Sequence, residues 1–125
     1  MKRSVLVVDD SLYMRTLICG ALETAGYEVV GQAGTGEAAI DMAMELQPDL
    51  ITLDSILPDM IGIDILRVLK EEEQLASKIV LISAVGQESV VSEGLALGAE
   101  AYIVKPFTAD DLVQQLSTLF TPLEA

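Results

Sequence analysis

Residues 5–11 read VLVVDDS. Val5, Leu6, Val7 and Val8 run without polar alternation, so a strand built from them is buried on both faces, as in the middle of a parallel sheet. The acidic pair Asp9-Asp10 then falls at the C-terminal end of that strand. Three later runs repeat the arrangement: residues 50–53 (LITL) lead into Asp54, residues 79–82 (IVLI) into Ser83, and residues 101–104 (AYIV) into Lys105. In a parallel sheet all strand C-termini lie along one edge, where α/β proteins place their ligands. Three carboxylates, one hydroxyl and one ammonium therefore line one cleft, a set suited to a hard cation and a phosphoryl group.

Outward from these runs, the chain alternates strand and helix. The first strand spans residues 4–8. A helix over 12–25 places Leu17, Ile18, Ala21, Leu22 and Ala25 on one face, and Gly26 stops it. A second strand covers 27–33, and Thr35, in the turn Gly34-Thr35-Gly36, caps a helix over 37–46. Pro48-Asp49 ends it before the third strand, 50–53. A loop over 55–61 holds Pro58 and Asp59 and precedes a helix over 62–74, whose apolar residues are Ile63, Leu66, Val68 and Leu69. The fourth strand spans 78–82, and the helix over 88–97 ends at Gly98. The fifth strand spans 101–104. Thr108-Ala109-Asp110-Asp111 reads as a capping box for the last helix, with Leu112, Val113, Leu116, Leu119 and Phe120 as its buried stripe. Five strand–helix units imply right-handed crossovers with helices on both faces. A closed barrel needs about eight such units, so an open, doubly wound five-stranded α/β sheet with five helices is expected.

The chain has 125 residues, 51% of them hydrophobic, which suits one domain over 1–125 with a sizeable core and no output domain. Lys and Arg number 7 against 20 Asp and Glu, a formal net charge of −13. Such a surface repels nucleic acid and anionic membrane, so neither is expected as a direct partner. The lone cysteine, Cys19, rules out a disulfide framework and falls in a helical pattern as a small buried residue. There is no histidine, which removes His-ligated zinc and His general-base mechanisms. Lys2-Arg3 precedes an apolar run of four residues, short of the roughly 7–15 of an export signal. No stretch approaches the ~20 apolar residues of a membrane span, so a cytoplasmic location is expected.

Three carboxylates within a few ångströms repel one another and stay ionised together only around a cation. An all-oxygen site with open positions favours Mg2+. Lys105 supplies a point charge for a bound anion and Ser83 a hydroxyl donor. Asp54 beside them can act as a nucleophile and become an acyl phosphate, with catalysis arising mainly from positioning and charge neutralisation. Taken singly, each residue has a plainer use: Asp9-Asp10 as helix caps, Asp54 as a turn residue, Lys105-Pro106 as a solvated loop, Tyr102 as packing. Their joint placement after strands one, three, four and five outweighs those uses.

On VLVVDDS at 5–11, LDSILPDMIG at 53–62, SA at 83–84 and VKPF at 104–107, the chain resembles a bacterial response-regulator receiver domain over essentially its whole length. DDSLYMR at 9–15 and SAVGQE at 83–88 are most similar to the single-domain chemotaxis regulators of that family. The resemblance implies a flavodoxin-like receiver fold with sheet order 2-1-3-4-5 and a cis bond before Pro106. It implies that Asp54 accepts a phosphoryl group from a sensor histidine kinase, with Mg2+ held by Asp10 directly, by Asp9 through water, by Asp54 and by the Ile56 backbone carbonyl. Lys105 pairs with the phosphoryl group. Ser83 and Tyr102 form the switch, the hydroxyl swinging toward the phosphoryl group and the ring turning inward. Implied partners are the kinase, a phosphatase, and a downstream target at the face formed by helix four, strand five and helix five. The chain would be an enzyme only toward its own phosphorylation and dephosphorylation. It departs from the family pattern at Ser83, where threonine is common, at Ile61, where a polar residue usually precedes the glycine, and at Ile56 and Val85, both apolar beside the acceptor.

Two rival classes lose on the residues. An aspartate-nucleophile phosphatase needs a second Asp two residues after the first, whereas Asp9 and Asp10 are adjacent. A flavodoxin-like cofactor binder needs a Ser/Thr-rich phosphate loop after strand one, where this chain carries acid. A stand-alone phosphorelay intermediate is the alternative within the family.

Overall fold

A computed structural model describes residues 2–120; Met1 and residues 121–125, the ends of the expected domain, lie outside it. Five parallel strands, β1 (Ser4–Val8), β2 (Glu28–Ala33), β3 (Leu50–Asp54), β4 (Lys78–Ala84) and β5 (Ala101–Lys105), lie in the order β2-β1-β3-β4-β5. The helices are α1 (Leu12–Thr24), α2 (Gly36–Leu46), α3 (Gly62–Arg67), α4 (Glu88–Leu97) and α5 (Ala109–Ser117). No helix among the described residues is long and apolar enough to cross a membrane.

The two-residue period of the strands sorts the core into two layers. Leu6, Val8, Ile51, Leu53, Ile79 and Leu81 pack with α2 and α3. Val5, Val7, Leu50, Val80, Ile82 and Ile103 pack with α1 and α5 through Ile18, Leu22, Leu112 and Leu116. Fully burying one such side chain is worth roughly 1.5–3 kcal/mol, so the central strands β1, β3 and β4 hold the sheet together from both sides.

Several boundaries differ from the sequence expectation. β3, β4 and β5 each run past the apolar stretch, so Asp54, Ser83 and Lys105 are strand residues; the ladder continues through Asp54↔Ile82, Ser83↔Val104 and Ala84↔Lys105. Backbone pairing does not depend on side-chain polarity, and so it outlasts the apolar pattern. β2 begins at Glu28, one residue later than expected.

Ala25 is an exposed cap beyond α1, while Cys19 is buried as expected. The helix expected over 62–74 is α-helical only to Arg67. Val68–Glu72 form a wider, π-type turn, closed by Glu73 N–H to Val68 O at 2.9 Å. That turn keeps Leu69 in the core while Lys70 Nζ donates to the Ser77 carbonyl at 2.7 Å.

α5 stops at Ser117, where the hydroxyls of Ser117 and Thr118 turn back to the carbonyls of Gln114 and Gln115. Leu119 and Phe120 still pack on the core from beyond the helix. The caps read from the sequence are present: Thr35 accepts from Ala38 N–H, and Thr108 and Asp111 complete a capping box.

Candidate functional site

The same alternation that sorts the core aims the charged side chains. Asp9 shares the parity of Val5 and Val7, Asp54 that of Leu50, and Lys105 that of Ile103, so all three point to the α1/α5 side at the C-terminal edge of the sheet. Lys105 Nζ lies 3.3 Å from Asp9 Oδ2 and 3.6 Å from Asp54 Oδ2, reaching from the edge strand β5 past β4 to carboxylates at the ends of the neighbouring strands β1 and β3. Asp9, Asp10 and Asp54 each present a carboxylate oxygen within 4.8 Å of the others. Asp9 and Asp54 are buried and Asp10 is exposed. Of the five positions expected to meet, Asp9, Asp10, Asp54 and Lys105 do so at this edge. Ser83 has the parity of Ile79 and Leu81 and belongs to the opposite layer.

Each side chain is held by its neighbours. Asp9 N–H donates to Ala33 O at 3.0 Å, tying the end of β1 to the end of β2. Asp9 Oδ1 accepts the N–H of Ser11 at 2.9 Å, and Ser11, rather than either aspartate, caps α1 by accepting from Met14 N–H. This leaves Asp9 Oδ2 and the Asp10 carboxylate facing the cleft. Asp54 Oδ1 accepts the N–H of Ile56 at 3.4 Å. Gly62 has no room for a side chain: a Cβ there would lie 2.8 Å from the Asp54 carbonyl oxygen and 2.9 Å from Ser55 Cα. The loop from Asp54 to α3 is therefore packed against the backbone of Asp54 itself. The Lys105-Pro106 peptide is cis.

The pKa of Asp54 is raised. Burial contributes most, the Asp9 charge adds to it, and Lys105 and the Ile56 N–H only partly offset them. A buried carboxylate held near two others is the condition a divalent cation relieves. The donors are all oxygen and one of the three is open to solvent, so the residues fit a hard cation. Ser83 Oγ is buried and finds no hydrogen-bond partner among the described residues, leaving a hydroxyl ready for an acceptor that arrives later. Tyr102 is 43% exposed at the edge strand, near the exposed Val104 and Leu95. Ile56 and Val85, each two residues beyond a residue of the expected cleft (Asp54 and Ser83), are 56% and 75% exposed.

Four supporting residues escaped the sequence reading. Arg15 Nη1 donates to the Asp9 carbonyl at 2.7 Å, and its Nε to Gln32 Oε1 at 3.2 Å. Asp59 accepts the N–H groups of Gly36 and Glu37 at 2.7 and 3.0 Å, bonds that lower its pKa and pin the β3–α3 loop to the start of α2. Ser55 and Gln87 hydrogen-bond to one another at 2.9 Å. These polar residues carry no periodic signal, and only the folded chain supplies their partners.

A parallel sheet of this order with a lysine-bridged carboxylate cluster at its C-terminal edge defines the receiver class. The chain belongs to the response regulator receiver domain family, whose family model matches residues 5–117. Within it, the chain is 39% identical to the chemotaxis protein CheY of Thermotoga maritima over 117 residues, covering 94% of this chain and 97% of that one. It is 38% identical to CheY of Bacillus subtilis over the same shares of each chain. Among solved structures, it is similar to CheY4 of Vibrio cholerae, with a TM-score of 0.87 at 30% identity, over 96% of this chain and 100% of that one. A second is the CheX–CheY–BeF3–Mg2+ complex from Borrelia burgdorferi, with a TM-score of 0.89 at 30% identity, covering 95% and 90%.

Proposed function

We propose that this chain is a phospho-accepting switch of chemotaxis-type signalling, acting in the cytoplasm, with Asp54 as the acceptor. The observation that carries the reading is Lys105 Nζ lying between Asp9 Oδ2 and Asp54 Oδ2 at 3.3 and 3.6 Å, with Asp10 alongside. Asp54 Oδ attacks the phosphorus of a phosphohistidine on a sensor kinase of the CheA type; the P–N bond breaks and an acyl phosphate forms. Lys105 then exchanges its contact with the Asp54 carboxylate for the phosphoryl oxygens. Ser83 Oγ, without a partner among the described residues beforehand, donates to the same group, and Tyr102 follows it from the neighbouring strand. The chain works on no substrate other than its own acyl phosphate.

Asp9, Asp10, Asp54 and the Ile56 carbonyl would hold Mg2+, which when bound neutralises the charge gathered between the carboxylates and the phosphoryl group. The downstream target binds at α4, β5 and α5, where Leu95, Tyr102 and Val104 are exposed, and a phosphatase resets the switch from the mouth of the cleft. The test is intact mass after incubation with acetyl phosphate and Mg2+. Wild type gains one phosphoryl group and Asp54→Asn gains none; equal labelling of both removes the assignment.

A further inference from the structure

Ser55, bonded directly to the proposed acceptor, is a buried serine whose hydroxyl donates to Gln87 Oε1 at 2.9 Å. The same oxygen accepts the N–H of Ala84 at 3.1 Å, so both of its lone pairs are used. Gln87 occupies the cap position of α4 yet gives that helix no side-chain cap. Gly86, with φ +92°, makes the turn that folds the side chain back onto β4. One neutral amide oxygen thus joins the loop after Asp54, the end of β4 and the start of α4.

The direction of the Ala84 N–H gives this joint a meaning. Along a parallel strand, residues of one parity send their N–H and C=O to the same neighbour. The Ile82 carbonyl accepts from Ser55 N–H at 2.9 Å, so Ile82 faces β3. Ala84, two residues on, faces the same way. Its N–H therefore points past the end of β3, toward the Ser55 carbonyl. It is a donor on the β3 side of β4, beside the loop that follows Asp54, and it is covered by Gln87. Ser83 beside it holds a buried hydroxyl with no partner among the described residues. An anionic oxygen on Asp54 is a stronger acceptor than an amide oxygen, with hydrogen bonds to it roughly twice as strong.

We propose that Gln87 is a positioning residue for the receiver reaction. It is a latch that holds the Ala84 N–H and the first turn of α4 while Asp54 is unmodified, and it surrenders that N–H to an anionic group on Asp54. This rests on Asp54 being the acceptor. Release of Oε1 from Ala84 leaves the Gln87 side chain held by the Ser55 hydroxyl alone, so the start of α4 is no longer tied to the end of β4. The movement of α4 then has a route separate from Ser83 and Tyr102.

The test is a titration of the full chain with beryllofluoride in the presence of Mg2+, followed by calorimetry and by amide NMR. Gln87→Met keeps the length of the side chain and removes the acceptor. It binds beryllofluoride about fivefold more tightly than wild type, the equivalent of one neutral hydrogen bond that no longer has to be broken. In the unliganded variant the Ala84 amide exchanges faster. Ser55→Ala, which cuts the other arm, also tightens binding, and the double variant binds no tighter than Gln87→Met alone. A side chain with a merely structural role would lower the melting temperature on replacement and leave the affinity unchanged or weaker, and that result overturns the latch. Should Gln87→Met fail to fold, an unchanged or weaker affinity in Ser55→Ala overturns it equally. Asp54→Asn separates the two readings. If it abolishes binding while Gln87→Met leaves affinity unchanged, the latch alone falls; if it binds as wild type does, the acceptor assignment falls and the latch with it.

Discussion

Replacing Asp54 by Asn should stabilise the metal-free protein. The carboxylate is 7% exposed. Asp9 presents a carboxylate oxygen within 4.8 Å of one on Asp54, which at an effective dielectric constant of about 20 costs about 3.5 kcal/mol. Lys105 at 3.6 Å returns about 4.6 kcal/mol on the same scale, less a discount because it is shared with Asp9 and reaches solvent. These terms cancel to within about 1 kcal/mol, the exposed Asp10 adds a little repulsion, and dehydration of the carboxylate remains as a net cost. An Asn of the same shape avoids it. The expected gain is about 2 kcal/mol at pH 7 in EDTA, or roughly 6–10 °C in Tm for a domain of this size. The pKa of Asp54 is raised in the folded state from an ordinary value of 3.8. Protonated Asp54 therefore favours folding, fully so below the unfolded pKa, and that contribution is lost as pH rises through the folded pKa. The advantage of Asp54→Asn should accordingly shrink toward zero as the pH falls below about 4. Millimolar Mg2+ should narrow it too, by stabilising wild type alone. Thermal unfolding followed by circular dichroism from pH 4 to pH 8 makes the measurement. An Asn variant no more stable than wild type at pH 7, or an advantage that persists undiminished in acid, refutes the reasoning.

Three further outcomes are expected. Gly62→Ala forces a Cβ to within 2.8 Å of the Asp54 carbonyl oxygen and 2.9 Å of Ser55 Cα; it should cost about 2 kcal/mol or more in urea unfolding and slow labelling by acetyl phosphate. Thr108→Ala removes the hydroxyl that accepts from Asp111 N–H at 3.0 Å; it should lower stability by about 1 kcal/mol, leaving labelling of Asp54 intact. Ile56→Asn combined with Val85→Glu places polar groups at two exposed apolar positions, each two residues beyond a residue of the expected cleft, where they can orient an attacking water. Loss of labelled phosphate should then be about tenfold faster, equal to ~1.4 kcal/mol of barrier, and an unchanged rate would mean that both side chains only pack.

The strands were legible because burial on both faces leaves an unbroken apolar run, and β1 was read to the residue. Their far ends were not, since Asp54, Ser83 and Lys105 remain in the ladder through backbone bonds that side-chain polarity does not report. The gathering of Asp9, Asp10, Asp54 and Lys105 followed from topology, as parallel strands deliver their last residues to one edge. Which layer each side chain joins depends on counting parity along strands whose true ends were unknown, and this hid the separation of Ser83 from the rest. Helix lengths failed where local competition decides them: the tether from Lys70 to Ser77 beside the π-type turn, and the hydroxyls of Ser117 and Thr118 at the end of α5. Asp59 and Ser55 acquire their partners Gly36 and Gln87 23 and 32 residues away in the chain, beyond any short window, while Arg15 reaches the Asp9 carbonyl six residues back through a bond that no side-chain pattern reports.

The bond from Lys105 to Asp9 joins residues 96 positions apart. A ribosome making this chain releases Asp9, Asp10 and Asp54 long before Lys105. Until the last strand adds to the edge of the sheet, three mutually repelling carboxylates have no counter-charge from the protein. The charge balance of the cleft thus arrives only when the fifth strand joins the sheet: a nascent or locally unravelled copy without that strand holds its three carboxylates without the Lys105 ammonium.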